Sequence, residues 1–349
     1  MPRLASLSAV TSFALGLVAI ASALPARAEV RTFGNWIVGC DNTGECTALG
    51  TPGGAPTPAE PAIVLRIGVN RSSLSGFEFA VVPLPNGDPT SRTIVVACLF
   101  CGSGPDAAGD ERADRIALNG QRLILPDLQG ARWIDALCKG RRITVAWVGH
   151  AASVTIETAA FMEAWIHLAQ TRGDIMRQAM IQQGLPSLHA GQPPPERRRA
   201  FPAAEVMPSG TPGIERLERQ CPSGGETATY RPFALPGDAT LWAVQCRRAG
   251  TVTTHWYQAS GAAGLPVALA LPDGDRGQVD AGERGFEDSV FDFDFGILRA
   301  RSGPAGREDC GVQRAWGWDG RAWFLLERSD MPACIGLQPS DWIRTYSAP

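Results

Sequence analysis

The residues best equipped for chemistry are nine cysteines, at positions 40, 46, 98, 101, 138, 221, 246, 310 and 334. Cys98-Leu99-Phe100-Cys101 has the spacing of a redox C-x-x-C pair, which works where a helix N-terminus lowers the pKa of a thiol. Here Thr93 to Val96 reads as a strand and Gly102-Ser103-Gly104 follows, so no helix begins at the motif and a thioredoxin-like role is disfavoured. A local bridge, or one of the pair joined to Cys138, is the simpler reading. Adding His150 would complete a three-cysteine, one-histidine zinc set, but the spacing to Cys138 and His150 fits no compact metal pattern. No metal or other cofactor is expected.

The other candidates are weaker. The four histidines, 150, 167, 189 and 255, form no H-E-x-x-H helix, and the chain carries neither a G-x-S-x-G elbow nor a phosphate-binding glycine loop. Glu163 and His167 stand at i and i+4, as a surface pair would, and His255 lies beside Trp256 and Tyr257, as strand packing would have it. Asp288, Asp292 and Asp294 share strand parity while Phe291, Phe293 and Phe295 take the other. Two close carboxylates could do glycosidic acid-base work, but a charged outer face over a phenylalanine core is the plainer reading. Asp273-Gly274-Asp275 with Asp280 hints at calcium, yet lacks the third close ligand and the terminal Glu of a calcium loop. Trp316, Trp318 and Trp323, with Arg321 beside them, are the best binding candidates, since stacked indoles suit a sugar ring or a partner's aromatic, but core packing is the commoner reading of tryptophans in a hairpin.

These residues must be positioned mostly by strands. Trp36-Ile37-Val38-Gly39-Cys40 and Trp242-Ala243-Val244-Gln245-Cys246 each align an indole, a valine and a sulfur on one face. Cys40 runs through Asp41-Asn42-Thr43-Gly44 to Cys46, a tight hairpin on which the two cysteines could face each other. Apolar runs at Ile63–Val69, Phe77–Leu84 and Thr93–Phe100 follow. Ile116 to Leu118 and Gln121 to Leu125 flank Asn119-Gly120 as a hairpin, and Arg142–Val148 and Ser153–Glu157 end the first series. The period then changes: Phe161, Trp165, Leu168, Ile175 and Ala179 predict a helix over 158–183, stopped by Gly184-Leu185-Pro186. Residues 186–213 hold seven prolines and the run Arg197-Arg198-Arg199, which reads as an extended spacer. The Arg run is most simply a solvated part of it, with a protease site or anionic docking point as the alternative. Beyond it come strands at Thr240–Arg247, Thr253–Gln258, Val267–Leu271 and Ser289–Arg299, then a hairpin over Asp319-Gly320 that would set Trp316 opposite Trp323 and Trp318 opposite Arg321. The fold expected is mainly β with one helical segment (α+β): two β-sandwich-like domains, 29–185 and 214–349, the first closed by the helix at about 158–184, joined by a Pro- and Arg-rich linker.

Composition narrows the setting. Met1-Pro2-Arg3, the apolar run Leu4 to Ile20 and Ala26-Arg27-Ala28 read as a signal peptide over 1–28, cleaved after Ala28. No other run approaches the ~20 apolar residues of a membrane helix. Losing Arg3 and Arg27 takes the net charge from −3 to −5, a mildly acidic balance that repels phosphate backbones and argues against nucleic acid. Lys139 is the sole lysine, most simply a matter of codon use. A periplasmic or secreted protein reads its cysteines first as disulfides, and an odd count leaves at least one unpaired or shared with a partner.

Phe33-Gly34-Asn35-Trp36 with Cys40-Asp41-Asn42 and Cys46, the helix around Gln170-Thr171-Arg172-Gly173, and the tail Asp309-Cys310-Gly311, Trp316-Gly317-Trp318-Asp319-Gly320, Cys334 and Trp342 together resemble the exported bacterial family called domain of unknown function 1176. The first half alone also resembles the invasion-associated locus B family. The first resemblance implies six patterned cysteines, Cys40, Cys46, Cys221, Cys246, Cys310 and Cys334, from which Cys98, Cys101 and Cys138 depart. Neighbour pairing then gives Cys40 with Cys46, Cys221 with Cys246 and Cys310 with Cys334; other connectivities stay open, because pairing is not deducible from sequence. The resemblance brings no activity. The expected role is a non-enzymatic, disulfide-stabilised binding or envelope-associated protein whose partner is a protein or an envelope glycan. The alternatives are a glycan hydrolase using Asp292 and Asp294 or a thiol oxidoreductase using Cys98 and Cys101.

Overall fold

The computed structural model describes residues 29–52, 63–69, 78–83, 93–98, 112–117, 123–124, 133–134, 136–137, 139–140, 143–147, 153–172, 200–205, 221, 229–248, 251–260, 264–282 and 284–348. The protein is mainly β, with a helix in its first half. Strands β1 (Arg31–Phe33), β2 (Trp36–Cys40), β3 (Cys46–Gly50), β4 (Ile63–Val69), β5 (Glu78–Pro83), β6 (Thr93–Cys98), β7 (Arg112–Ala117), β8 (Leu123–Ile124), β9 (Ile143–Trp147) and β10 (Ser153–Ile156) precede helix α1 (Phe161–Arg172). They form a six-stranded sheet, ordered β1-β2-β3-β4-β5-β8, and a four-stranded one, β10-β9-β6-β7, with every pairing antiparallel.

Alternation decides what the first sheet buries. Trp36, Val38 and Cys40 of β2, Cys46 and Ala48 of β3 and Leu65 and Ile67 of β4 point one way. They pack against Ile143 and Val145, Ile156, the helical residues Trp133, Ile134, Ala136 and Leu137, and the inner face of α1, Phe161, Ala164 and Leu168. Trp36 anchors this core: its ring lies 4.5 Å from that of Phe161, and its indole N–H donates to Glu157 O at 2.9 Å. Only glycine fits opposite it on β3, since a Cβ at Gly50 would stand 2.6 Å from the indole.

The second half holds β11 (Ala204–Glu205), β12 (Thr229–Leu235), β13 (Ala239–Arg248), β14 (Thr251–Ser260) and β15 (Val267–Ala268) as one sheet in that order, the short pair β16 (Ala270–Pro272) and β17 (Gln278–Asp280), and a second sheet β18 (Asp288–Asp292), β19 (Ile297–Ser302), β20 (Gly311–Trp318), β21 (Trp323–Met331) and β22 (Ile343–Ser347), a simple meander. The two five-stranded sheets share one core. Phe233, Leu241, Ala243 and Trp256 come from the first; Phe291, Leu298, Trp316, Trp323 and Leu325 come from the second. Trp242, Val244 and Cys246 of β13 face the other way and form a small cluster with Tyr257, so this Trp-Val-Cys stripe serves a satellite rather than the main core.

The halves meet. Ile37, Leu49 and Val64, on the face of the first sheet away from its own core, pack with Cys310, Met331, Leu337, Trp342 and Ile343. That contact explains why every residue of β2 and β3 is buried. Gly39 is the point of closest approach, where a Cβ would lie 2.8 Å from Ile343 Cγ2. Polar contacts border the junction. Arg344 Nε donates to Asp41 Oδ2 at 2.8 Å, Arg344 also pairs with Glu45, and Asn42 and Ser347 exchange two hydrogen bonds.

Four local expectations are corrected. The strands on either side of Asn119-Gly120 do not pair with each other: β7 pairs with β6 in the four-stranded sheet, whereas β8 pairs with β5 in the six-stranded one. An Asn-Gly step favours a chain reversal but does not choose the next strand's partner. Ser289–Arg299 is two strands, not one, because the chain turns over Phe293 to Gly296, with Gly296 at φ 64° and Asp292 Oδ1 accepting the Phe295 N–H at 3.4 Å. Val267–Leu271 divides between β15 and β16, which belong to different sheets. The last hairpin has a four-residue loop: Asp319 Oδ1 accepts the N–H groups of Arg321 and Ala322, which sets Trp318 opposite Trp323 and Trp316 opposite Leu325. The helix expected over 158–183 is observed as Phe161–Arg172, and its later part lies outside the described residues.

Candidate functional site

The six patterned cysteines pair as neighbours. Cys40 bonds Cys46, Cys221 bonds Cys246 and Cys310 bonds Cys334, with Cα–Cα separations of 3.9, 5.5 and 4.6 Å. Cys40 and Cys46 are directly opposed across β2 and β3, and Cys310 ends the loop before β20. Cys98 closes β6; Cys101 and Cys138 lie outside the described residues, as do His150 and His189.

The three candidate indoles line the sandwich interior. Trp316, Trp318 and Trp323 are 0, 4 and 8 % exposed, and each N–H is satisfied inside the protein, by Pro272 O, Pro236 O and Gln258 Oε1 respectively. They share one face, as their parity demands, and that face is the core; Arg321 is exposed on the loop. The burial agrees with core packing and not with an aromatic binding face.

The acidic candidates are engaged as well. Arg314 of β20 and Arg328 of β21 are cross-strand neighbours, and two buried like charges in that position need counter-ions. Asp273 provides the first: its Oδ1 accepts from Arg314 Nε at 2.8 Å, and its Oδ2 from Arg314 Nη2 at 3.0 Å and Arg328 Nη1 at 2.6 Å. Asp330 provides the second, accepting from Arg328 Nε and Nη2 and from Thr345 Oγ1 at 2.5 Å. Burial pushes the Asp273 carboxyl upward, but the hydrogen bonds and charges of Arg314 and Arg328 outweigh it and hold the group below its ordinary 3.8. The residue that hinted at calcium is thus the hub of a buried ion network, and Asp280 accepts the Gly282 N–H. Asp292 lies 3.6 Å from Arg299, and Asp294 is exposed in the turn. His255 contacts Gly282 O through Nδ1 at 2.8 Å, and His167, on α1, is held below its ordinary pKa by burial and by the charge of Arg31, against Glu29.

A cleft of about 510 Å³ opens between the loop 306–309 and the segment 336–339. Two ion pairs are among its lining residues. Arg301 Nε donates to Asp288 Oδ2 at 3.1 Å across the β18–β19 pair. Arg307 grips Asp309 through Nε and Nη2, both at 2.8 Å. Three contacts tie the walls: the Cys310–Cys334 bridge, Arg307 Nη2 to Cys334 O at 3.2 Å, and the Gly336 N–H to Asp309 Oδ2 at 2.7 Å. Those Arg307 bonds, with the Gly336 N–H, keep Asp309 below its ordinary pKa in spite of partial burial. Ligand atoms of Asp309, Cys310 and Cys334 lie within 4.8 Å of one another, but the two sulfurs are bonded together, and a disulfide sulfur is not the thiolate that binds zinc.

Sequence reasoning missed this cleft. Its one local sign was the run Arg307-Glu308-Asp309 directly before Cys310; Asp288 and Arg301 join it only through strand register. Of the ion network only Arg328 and Asp330 are near in sequence; its hub was hidden, because Asp273 meets its two arginines from 41 and 55 positions away.

Among the described residues no helix is long and apolar enough to cross a membrane. The family described as protein of unknown function (DUF1176) matches residues 30–349. No curated protein and no solved structure matches the chain.

Proposed function

The chain belongs to the DUF1176 family, and we propose that it is an exported, disulfide-stabilised protein of the periplasm or envelope that acts by binding rather than by catalysis. The observation that carries the reading is the set of three bridges, which fits a chain folded in an oxidising compartment. The leader-like residues 1–28 agree with it. Binding is favoured over catalysis by the placement of the candidate carboxylates: Asp273 is committed to Arg314 and Arg328, Asp292 lies 3.6 Å from Arg299, and Asp294 is exposed in a turn. The partner is another protein or an envelope glycan.

The test is alkylation and mass spectrometry of the protein recovered from the periplasm or medium of its host. The expected result is a mature N-terminus at Glu29 and Cys40, Cys46, Cys221, Cys246, Cys310 and Cys334 all protected. Free thiols at those six positions, or recovery only from the cytoplasm, would overturn the proposal. Turnover of a glycan, peptide or ester that one substitution abolishes would replace binding with catalysis.

A further inference from the structure

We propose that the cleft between residues 306–309 and 336–339 is a binding site for a neutral saccharide. The inference rests on the binding role proposed above and names its ligand. At about 510 Å³ the cleft falls within the roughly 300–1,000 Å³ of small-molecule sites. Its chemistry is one of fixed donors beside fixed acceptors. Arg301 spends Nε on Asp288 and Nη1 on Arg307 O; Arg307 spends Nε and Nη2 on Asp309 and Cys334 O. Arg301 Nη2 and Arg307 Nη1 have no hydrogen-bond partner among the described residues. Asp288, whose side chain is 63 % exposed, uses only Oδ2, and Glu308 is exposed.

A sugar hydroxyl both donates and accepts, so adjacent hydroxyls on one ring can meet a guanidinium and a carboxylate together. Other ligand classes fit less well. An anionic ligand would find Arg301 and Arg307 already neutralised by Asp288 and Asp309, with the charge of Glu308 in excess. A hydrophobic one would find no aromatic ring in the lining and a buried Leu337. The site is also preorganised. The Cys310–Cys334 bridge and the bonds of Arg307 and Asp309 hold both walls before a ligand arrives, so little ordering cost opposes a weak polar ligand.

The experiment is titration calorimetry and NMR on the purified, oxidised, full mature chain with three uncharged probes, chitotetraose, maltotetraose and cellotetraose. Trigalacturonate and tetra-alanine serve as comparison ligands. Saturable binding of at least one uncharged probe is expected, weakened tenfold or more in Arg307→Ala and in Glu308→Ala, and unchanged in Arg299→Ala, whose ion pair with Asp292 lies outside the cleft. A folded wild type that binds none of the three overturns the proposal. So does binding that both cleft variants leave intact, or a preference for trigalacturonate or tetra-alanine. The titration says nothing of where the cell places the protein, so failure of the export reading and failure of the saccharide site are separately visible.

Discussion

Removing the carboxylate of Asp273 tests whether the buried ions hold the second half together. In Asp273→Ala, Arg328 keeps Asp330, but Arg314 keeps only the Ser302 hydroxyl, 3.1 Å from Nη1, and a guanidinium with almost no solvent contact is left without a counter-charge. Breaking a buried pair by deleting one member costs about 3–5 kcal/mol, since the survivor remains desolvated. A loss near 4 kcal/mol corresponds to a fall in Tm of about 10 °C at 2–4 °C per kcal/mol. Urea unfolding followed by tryptophan fluorescence is a suitable assay, because the Trp316 indole donates to Pro272 O, one residue from the deleted group. Asp288→Ala is the control: its pair with Arg301 is exposed on the carboxylate side, and such pairs are worth about 0–1 kcal/mol. Adding Arg314→Met to Asp273→Ala should recover part of the loss by removing the stranded charge. If Asp273→Ala costs no more than Asp288→Ala, or if the double variant is the worse of the two, the network does not stabilise the sandwich as argued.

Because Arg314 and Arg328 depress the Asp273 pKa, that group contributes stability above the ordinary carboxylate pKa and loses it as pH falls through its lowered value. Wild-type unfolding free energy should therefore drop as pH falls below the ordinary carboxylate range, and Asp273→Asn should flatten that limb in acid titrations. Gly50→Ala would drive a methyl into the Trp36 ring and should cost about 1–3 kcal/mol in urea unfolding, whereas Gly306→Ala, with open space around it, should cost less despite its positive φ. Removing the Cys310–Cys334 bridge as a double serine variant reopens a loop of 24 residues, worth about 3.5 kcal/mol in the chain-entropy account, read as a shift in the urea midpoint. Arg344→Ala takes the counter-charge from Asp41, whose side chain is wholly buried, and should cost about 1.5–3 kcal/mol, measurable by the same unfolding curve.

Local physics made the strands legible and long-range pairing did not. Alternation placed Trp36, Val38 and Cys40 on one buried face, and the 3.6-residue period placed Phe161 and Leu168 on the inner face of α1. The parity of Trp316, Trp318 and Trp323 was right as well, but parity cannot tell a core face from an open one. What decides it is the sheet that carries Phe233 and Trp256, which lies 60 or more residues earlier in the chain. The register error in that hairpin came from treating Asp319-Gly320 as a complete turn, when the Asp319 carboxylate organises the two residues after it. The cleft stayed hidden for a related reason: Arg301 reads as an ordinary strand residue until register sets it opposite Asp288.

The junction between the halves draws these observations together. β2 and β3 bury both faces, one against α1 and the other against β22 and its neighbours, so the first sheet is shared between two cores. Two of the three bridges adjoin the shared region. Cys40–Cys46 closes the hairpin whose loop offers Asp41, Asn42 and Glu45 to β22, and Cys310–Cys334 lies within the cluster that Ile37, Leu49 and Val64 complete. The interior here is thin, and a small apolar cluster adds little against the conformational entropy of holding loops and a terminal strand in place. Covalent closure lowers that entropy in the unfolded chain instead, and does so on both sides of the contact. Oxidation therefore matters most where the halves touch. A reduced chain should lose the seating of β22 on β2 before it loses the main core of the second half, because Trp316 is held by packing that none of the bridges supplies.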